Sequence, residues 1–392
     1  MHRVAMVLTK QDFLTKQDSF ELAEWRRTLH RHPELSGQEE NTAREVCAFL
    51  KPTNPDRVIT NVGGHGLAFI YDGAEPGPTV MFRAELDALP IEEIADIAHR
   101  SQAPGKGHLC GHDGHMATLA ALARGLGRRR PGRGRVVLLF QGAEETGAGA
   151  AAIIADPKFK AIAPDYGFAM HNMPGLALGR AALTDGPVNC ASRGMRIVLT
   201  GRTAHASAPE SGASPMNALC ALMPALTALG TGGPVAENFA MVTVTHARMG
   251  EPAFGVAPGR GEVWATLRAL TDRRMARLCE EAERLAGAAG DSGLGVTITY
   301  EDIFEHCENA PEAVAYLRRA LEAENVSTDS AGLPWRASED FGRFGKTARC
   351  AMVFLGAGEN HPGLHSPAYD FPDALIGVGA RVFMHAARGL LG

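Results

Sequence analysis

Hydrophobic and polar positions along this chain alternate in two textures. From Phe20 to His30, Leu22, Trp25, Arg26 and Leu29 recur at the spacing of one helical face and Pro33 stops the run, which predicts a helix. A second helix is predicted over Glu39 to Leu50. Short apolar runs that end in polar or small residues follow at Leu67 to Tyr71, Thr79 to Arg83, Arg135 to Gln141 and Asp165 to Met170. Between them lie stretches of helical character such as His115 to Leu126. Strands alternating with helices predict an α/β fold: a largely parallel mixed sheet flanked by helices.

From about Pro187 the texture changes. Gly194 to Thr200, Ala240 to Ala247, Gly261 to Ala269 and Val296 to Tyr300 read as strands, and Pro215 to Leu229 and Arg273 to Ala289 as helices. Four strands with two helices make a smaller α+β domain of the split βαβ type. The earlier pattern returns after residue 311, with Cys350 to Leu355 as a buried strand and Asp373 to Leu391 as a closing helix. The expected division is therefore 1–186 and 305–392 for the main domain, with 187–304 inserted in it. A length of 392 residues suits two cores rather than one.

Composition narrows the class. Hydrophobic residues at 45% and charged residues at 21% are the balance of a globular protein. A net charge of -5 leaves no basic excess for a nucleic-acid backbone, and the run Arg128 to Arg130, flanked by Gly and Pro, reads as a solvated loop. No apolar stretch is expected to cross a bilayer, and Val4 to Leu8 is too brief for a secretory signal. The seven cysteines are odd in number, widely spaced and without a CxxC pair, so reduced thiols and a cytoplasmic location are expected. Cys110 alone has ligand-type neighbours.

The densest chemistry is GHLCGHDGHM at Gly107 to Met116, with a Cys, three His and an Asp between a Gly/Pro-rich loop and an Ala/Leu-rich helix. Cys110 and His112 converge only where the chain is extended or turning, and Asp113 is placed to cap the helix that follows. A thiolate and a neutral imidazole suit zinc or a similar metal; a polar loop is the equal alternative on this segment alone. Glu144 and Glu145 directly follow the apolar run Val136 to Phe140. Such a pair is commonly solvated surface, but carboxyl ends of strands border the ligand crevice of α/β sheets, where one carboxylate can bind metal and the other act as general base. His171 and His365 also follow strand runs. Four strand ends bearing this chemistry argue for one site. Charge counting favours two divalent cations, balanced by the Cys110 thiolate, Glu145, a bridging hydroxide and Glu144 or Asp87, and hydrolysis of an amide or ester follows from that.

On these residues the chain resembles the dinuclear metallohydrolases that include aminoacylases, hippurate hydrolases and auxin-conjugate amidohydrolases. The motifs occur in order: LHRHPELSGQE from Leu29, FRAELDALPIEE from Phe82, HLCGHDGHM from His108, FQGAEETGAGA from Phe140, HNMPG from His171 and LHSPAYDFPDAL from Leu364. The resemblance implies that Cys110, His112, Glu145, His171 and His365 ligate two divalent metal ions. It implies that Glu144 activates the water and passes its proton to the leaving amine, with Asp87 orienting a ligating imidazole and Asp113 and His115 holding ligands or capping the helix. It implies an inserted lid domain that makes a homodimer or higher homo-oligomer. GRTAHASAPESGASPMNAL resembles the family's lid motif, in which His205 would reach the neighbouring subunit's site to stabilise the oxyanion.

Three positions depart from that pattern: Glu85 stands where relatives usually have Asp, Gly142 where proline is frequent, and Gly255 where an asparagine commonly contacts substrate. Arg268 either grips a substrate carboxylate or is an ordinary strand arginine. His32 and His108 read as ordinary polar residues. The expected reaction is hydrolysis of an N-acyl amino acid or similar small amide, with zinc, manganese, cobalt or nickel as the metal. The alternatives are a dipeptidase or carboxypeptidase on the same centre and a non-catalytic metal-binding scaffold.

Overall fold

A computed structural model describes residues 13–290 and 293–392; the run Val4 to Leu8 lies outside them. The chain divides into two units, one of Met1–Val188, Glu308–Leu333 and Asp340–Gly392, the other of Asn189–Cys307 with Pro334–Glu339. The last segment joins the second unit through particular bonds that sequence texture does not reveal. Arg268 Nη1 donates to Arg336 O (3.1 Å) and Ser338 Oγ (2.8 Å), and Cys190 N donates to Trp335 O (3.3 Å) and Ala337 O (3.2 Å).

In the first unit, helix α1 (Lys16–Arg31) opens on a reciprocal cap: Asp18 N donates to Thr15 Oγ1 (3.0 Å) and Thr15 N to Asp18 Oδ2 (2.7 Å). Its buried stripe of Leu22, Trp25, Arg26 and Leu29 is the one the spacing predicts. After α2 (Glu40–Leu50) come β1 (Arg57–Val62), β2 (Gly66–Asp72) and β3 (Glu75–Glu85). The helix α3 (His112–Arg128), β4 (Arg133–Gln141), β5 (Tyr166–Pro174) and β6 (Arg180–Ala182) follow. The eight-stranded sheet has the order β1-β2-β4-β3-β5, then Arg349–Gly358, β6 and Ser327–Asp329. Its four central strands, β4, β3, β5 and Arg349–Gly358, are mutually parallel, while β1, β2 and β6 each add an antiparallel pairing.

Central strands covered on both faces read as unbroken apolar runs. Val80 to Ala84 and Val136 to Phe140 are accordingly buried throughout. Each fully buried Val, Leu or Phe contributes about 1.5–3 kcal/mol of hydrophobic free energy before chain entropy is counted. Parallel register also puts the carboxyl ends of these strands on one edge, where Glu85 pairs with Gln141 and His171 with Phe354.

The second unit has one-sided patterning instead. Its four-stranded sheet is antiparallel, and on Arg260–Ala269 the residues Val263, Ala265 and Leu267 are buried while Trp264 is exposed. The helices Met216–Ala228 and Asp272–Gly287 supply Leu219, Leu222, Met275, Leu278 and Ala282 to that core.

Two smaller expectations need correction. The helix Ala374–Leu391 is long and apolar enough by length and composition to cross a membrane; its Leu375, Ile376, Val382, Phe383 and Leu390 are packed in the first unit's core, facing protein. The arginine run is no free loop: Arg128 pairs with Asp18 (2.7 Å), and Arg130 lies over the Tyr71 ring (4.9 Å). Five of the seven cysteines are buried, while Cys220 is exposed and Cys47 half-buried.

Candidate metal centre

The Cys-Gly-His turn that leads into α3 is built on Gly111, whose φ of 97° is a left-handed conformation open to glycine at little cost. A side chain there would also strike Asn172 Oδ1 at 2.5 Å. Gly111 itself is the N-cap, with no side-chain cap bond, and α3 begins at His112. Asp113 is therefore not the cap that sequence reading placed there. It lies inside the first turn, where its Oδ2 accepts from Arg26 Nη1 (3.0 Å) and is 2.9 Å from His30 Nδ1.

Groups from separate elements converge at this turn. The ligand atoms of Cys110, His112 and His171, of Cys110, Glu145 and His365, and of His112, Glu144 and Glu145 each lie within 4.8 Å of one another. Cys110 Sγ is 3.5 Å from His171 Nε2, and His365 Nε2 is 3.5 Å from Glu145 Oε2. His112 Nε2 lies 3.8 Å from both Glu144 Oε2 and Glu145 Oε1. His365 reaches the group because its N–H donates to Leu109 O (2.8 Å), one residue before Cys110.

Two residues here hold a left-handed backbone without being glycine: Ala143 at φ 54°, just before the glutamate pair, and His365 at φ 63°. Such conformations cost on the order of 1–3 kcal/mol and persist where surrounding contacts impose them. Glu39 Oε1 imposes the first, accepting from Ala143 N (2.8 Å) and Gly37 N (2.7 Å). A side chain at Gly142 would come within 2.9 Å of the same carboxylate.

The imidazoles are oriented by backbone carbonyls. His112 Nδ1 donates to Asp87 O (2.8 Å) and His171 Nδ1 to Asn172 O (2.8 Å), which turns each Nε2 toward the cluster. Asp87 thus orients His112 through its main chain; its carboxylate lies farther, at 3.7 Å, and instead accepts from Ser36 Oγ (2.7 Å) and Glu145 N (3.0 Å). Burial lowers the pKa of His112 well below the ordinary range, and burial together with His115 takes His171 down to about 3. Both rings are neutral at neutral pH, the state a metal ligand requires. Burial, opposed by the Glu145 N–H bond, raises Asp87 to about 7.

The donor set fits a metal on its own terms. His112 Nε2 is buried without a hydrogen-bond partner while it faces two carboxylates, and thiol, imidazole and carboxylate are the donors borderline divalent metals take.

Other residues that sequence reading singled out lie elsewhere. His205 is exposed in the second unit, on the short strand Ala204–His205. Its Nδ1 accepts from Ser207 N (3.2 Å) and lies 2.7 Å from Ser207 Oγ. Arg268 holds Arg336 and Ser338, as described above. Gly255 O accepts from Ala206 N (3.0 Å), and a side chain at Gly255 would meet open space. His32 is exposed; His108 is buried, its pKa lowered to about 4 by burial, and neither ring nitrogen has a hydrogen-bond partner.

Sequence reading missed a buried chain of charges behind the cluster. Arg83 contacts Glu85 and donates through Nη2 to Asp340 Oδ1 (2.6 Å), while Glu85 Oε2 lies 2.6 Å from His115 Nδ1. Burial opposes ionisation of Glu85, but Arg83 and His115 hold its pKa well below normal. Arg83 and Asp340 are 257 positions apart, and no local signal joins them.

Known proteins resemble this chain over nearly its whole length. The hippurate hydrolase of Campylobacter jejuni is 31% identical, covering 96% of this chain and 97% of that protein. Thermostable carboxypeptidase 1 of Saccharolobus solfataricus is 28% identical over 93% of this chain and 95% of its own length. A solved structure from Bacillus subtilis, described as a dinuclear metal binding peptidase from the M20 family, superposes with a TM-score of 0.80 at 26% identity, covering 96% of this chain and 99% of that one. Residues 81–389 match Peptidase family M20/M25/M40, and with these relatives spanning nearly its full length the chain belongs to that family.

Proposed function

We propose that this chain hydrolyses the amide bond of an N-acyl amino acid or similar small conjugate, using two divalent metal ions held by Cys110, His112, Glu145, His171 and His365. The observation that carries the reading is the gathering of these ligand atoms from separate elements of the first unit around the unpartnered His112 Nε2. Bound divalent metals supply Lewis acidity toward the substrate carbonyl and lower the pKa of water. Glu144, 5% exposed and beside His112, is the residue that takes the proton from water and returns it to the leaving amine. His205 presents Nε2–H as an oxyanion donor, reaching the site of a neighbouring subunit in a homodimer built through the second unit. With its guanidinium engaged by Arg336 and Ser338, Arg268 serves as a brace for Pro334–Glu339.

Zinc, manganese, cobalt and nickel all match the donor set, and an odd number of widely spaced cysteines without a CxxC pair suits a reducing, cytoplasmic setting. Glu144→Gln removes the base and keeps the shape, so turnover is expected to fall about 10³-fold while metal per chain stays near wild type. A variant that kept most of its rate would sink the assignment. The carboxypeptidase relative favours a second reading, cleavage of peptides at a free carboxyl end. Parallel assays of N-acetyl and N-benzoyl amino acids against unblocked dipeptides decide between the two, and a clear preference for unblocked dipeptides reverses the ranking.

A further inference from the structure

Asn172 is fully buried near the end of β5, directly after His171. Its side chain makes contacts that a strand residue does not need. Nδ2 donates to Cys110 O (3.2 Å) and lies 2.6 Å from the Tyr369 hydroxyl, and Oδ1 lies 2.6 Å from His115 Nε2. Its main-chain carbonyl accepts from His171 Nδ1 (2.8 Å). One residue thus holds the peptide that carries Cys110 and the ring of His171, which arrive from positions 61 apart in sequence. The same amide bounds the space through which Gly111 turns, and Phe371 closes the other side, within 3.0 Å of any side chain placed there. Asn172 is held in turn by His115, which Glu85 anchors in the buried chain with Arg83 and Asp340.

We propose that Asn172 is a positioning residue of the metal centre: its amide fixes the Cys110 peptide, and with it the direction of Cys110 Sγ, against His171 Nε2. The inference rests on the reading above that Cys110 and His171 hold metal. Hydrogen bonds to buried amides are directional, and loss of a partner that orients a metal ligand typically weakens metal affinity about 10–100-fold. Asn172→Asp tests this closely. The carboxylate keeps the size and the acceptor toward His115 but has no N–H for Cys110 O, so two oxygens would face each other across the present 3.2 Å and the peptide must turn.

The measurement is cobalt(II) reconstitution, read by the near-ultraviolet thiolate-to-cobalt charge-transfer band and by competition with a chelator. Wild type should show the band and Cys110→Ser should lack it; a wild type without it overturns the ligand reading itself, and this inference with it. Given the wild-type band, Asn172→Asp should show it weakened or shifted, with cobalt affinity down about 10–100-fold and unchanged circular dichroism. An Asn172→Asp protein with wild-type band and affinity overturns the positioning role while leaving Cys110 as a ligand. Should Asn172→Asp fail to fold, Asn172→Ser, uncharged and too short to span Cys110 O and His115, carries the same expectation and the same overturning result.

Discussion

The first turn of α3 separates two buried polar clusters of opposite character. On the Asp113 side, cation and anion alternate: Asp113 meets Arg26 (3.0 Å) and His30 (2.9 Å), His30 meets Glu93 (3.2 Å), and Arg26 reaches Asp370 (2.6 Å) and Asp373 (2.7 Å). On the His112 side the assembled groups are a thiol, carboxylates and neutral imidazoles, with a buried nitrogen aimed at them and unbonded. In the first arrangement the protein itself supplies both signs of charge. The second is arranged for a cation that comes from outside, because burying acids and neutral donors together is costly without one. Adjacent residues of one helix, Asp113 and His112, therefore belong to different tasks.

That contrast breaks or sharpens at four points. The largest effect should come from removing metal: dialysis against a chelator is expected to lower turnover by at least about 10³-fold, equivalent to about 4 kcal/mol of transition-state stabilisation, and added divalent ions should restore it. Undiminished activity in metal-free protein would show that the His112 side needs no cation.

His30→Gln takes the charged partner from Asp113 and Glu93, and should cost about 3 kcal/mol of folding stability in urea titrations. Metal per chain should not change; a parallel loss of metal would mean that the two clusters are one.

The pH dependence of stability tests the same histidine. Burial alone would lower its pKa, but Asp113 and Glu93 outweigh burial and hold it at about 9, against 6.5 unfolded. A raised folded pKa contributes stability that is complete below pH 6.5 and is lost as pH rises through about 9. Wild type should therefore lose on the order of 2 kcal/mol between pH 6.5 and 9.5 relative to His30→Gln, whose profile lacks this contribution.

The smallest effect belongs to Glu85→Asp. A carboxylate one methylene shorter cannot serve Arg83 and His115 together, and the lost bond should cost about 1 kcal/mol, measured as a shift in the denaturation midpoint. No shift would mean that the shorter side chain fits the same chain of charges.

Sequence alone was sufficient for whatever depends on periodicity or on neighbours in the chain. The stripe of α1, the buried runs of β3 and β4, and the mixed, centrally parallel sheet follow from where apolar side chains recur, because burial of a helix face or a strand is a local pattern. The chemical kind of residue at each strand end was equally legible. Tertiary structure decided which groups meet. Asp113 looked like a cap and became the partner of Arg26, 87 positions away; Asp87 orients His112 through its carbonyl; Arg268 braces Pro334–Glu339. Asn172 and Glu85 acquired roles only when β5, β3 and α3 were brought together. Hydrogen bonds and ion pairs act over a few ångströms in space, and no periodicity in one strand records what folds against it.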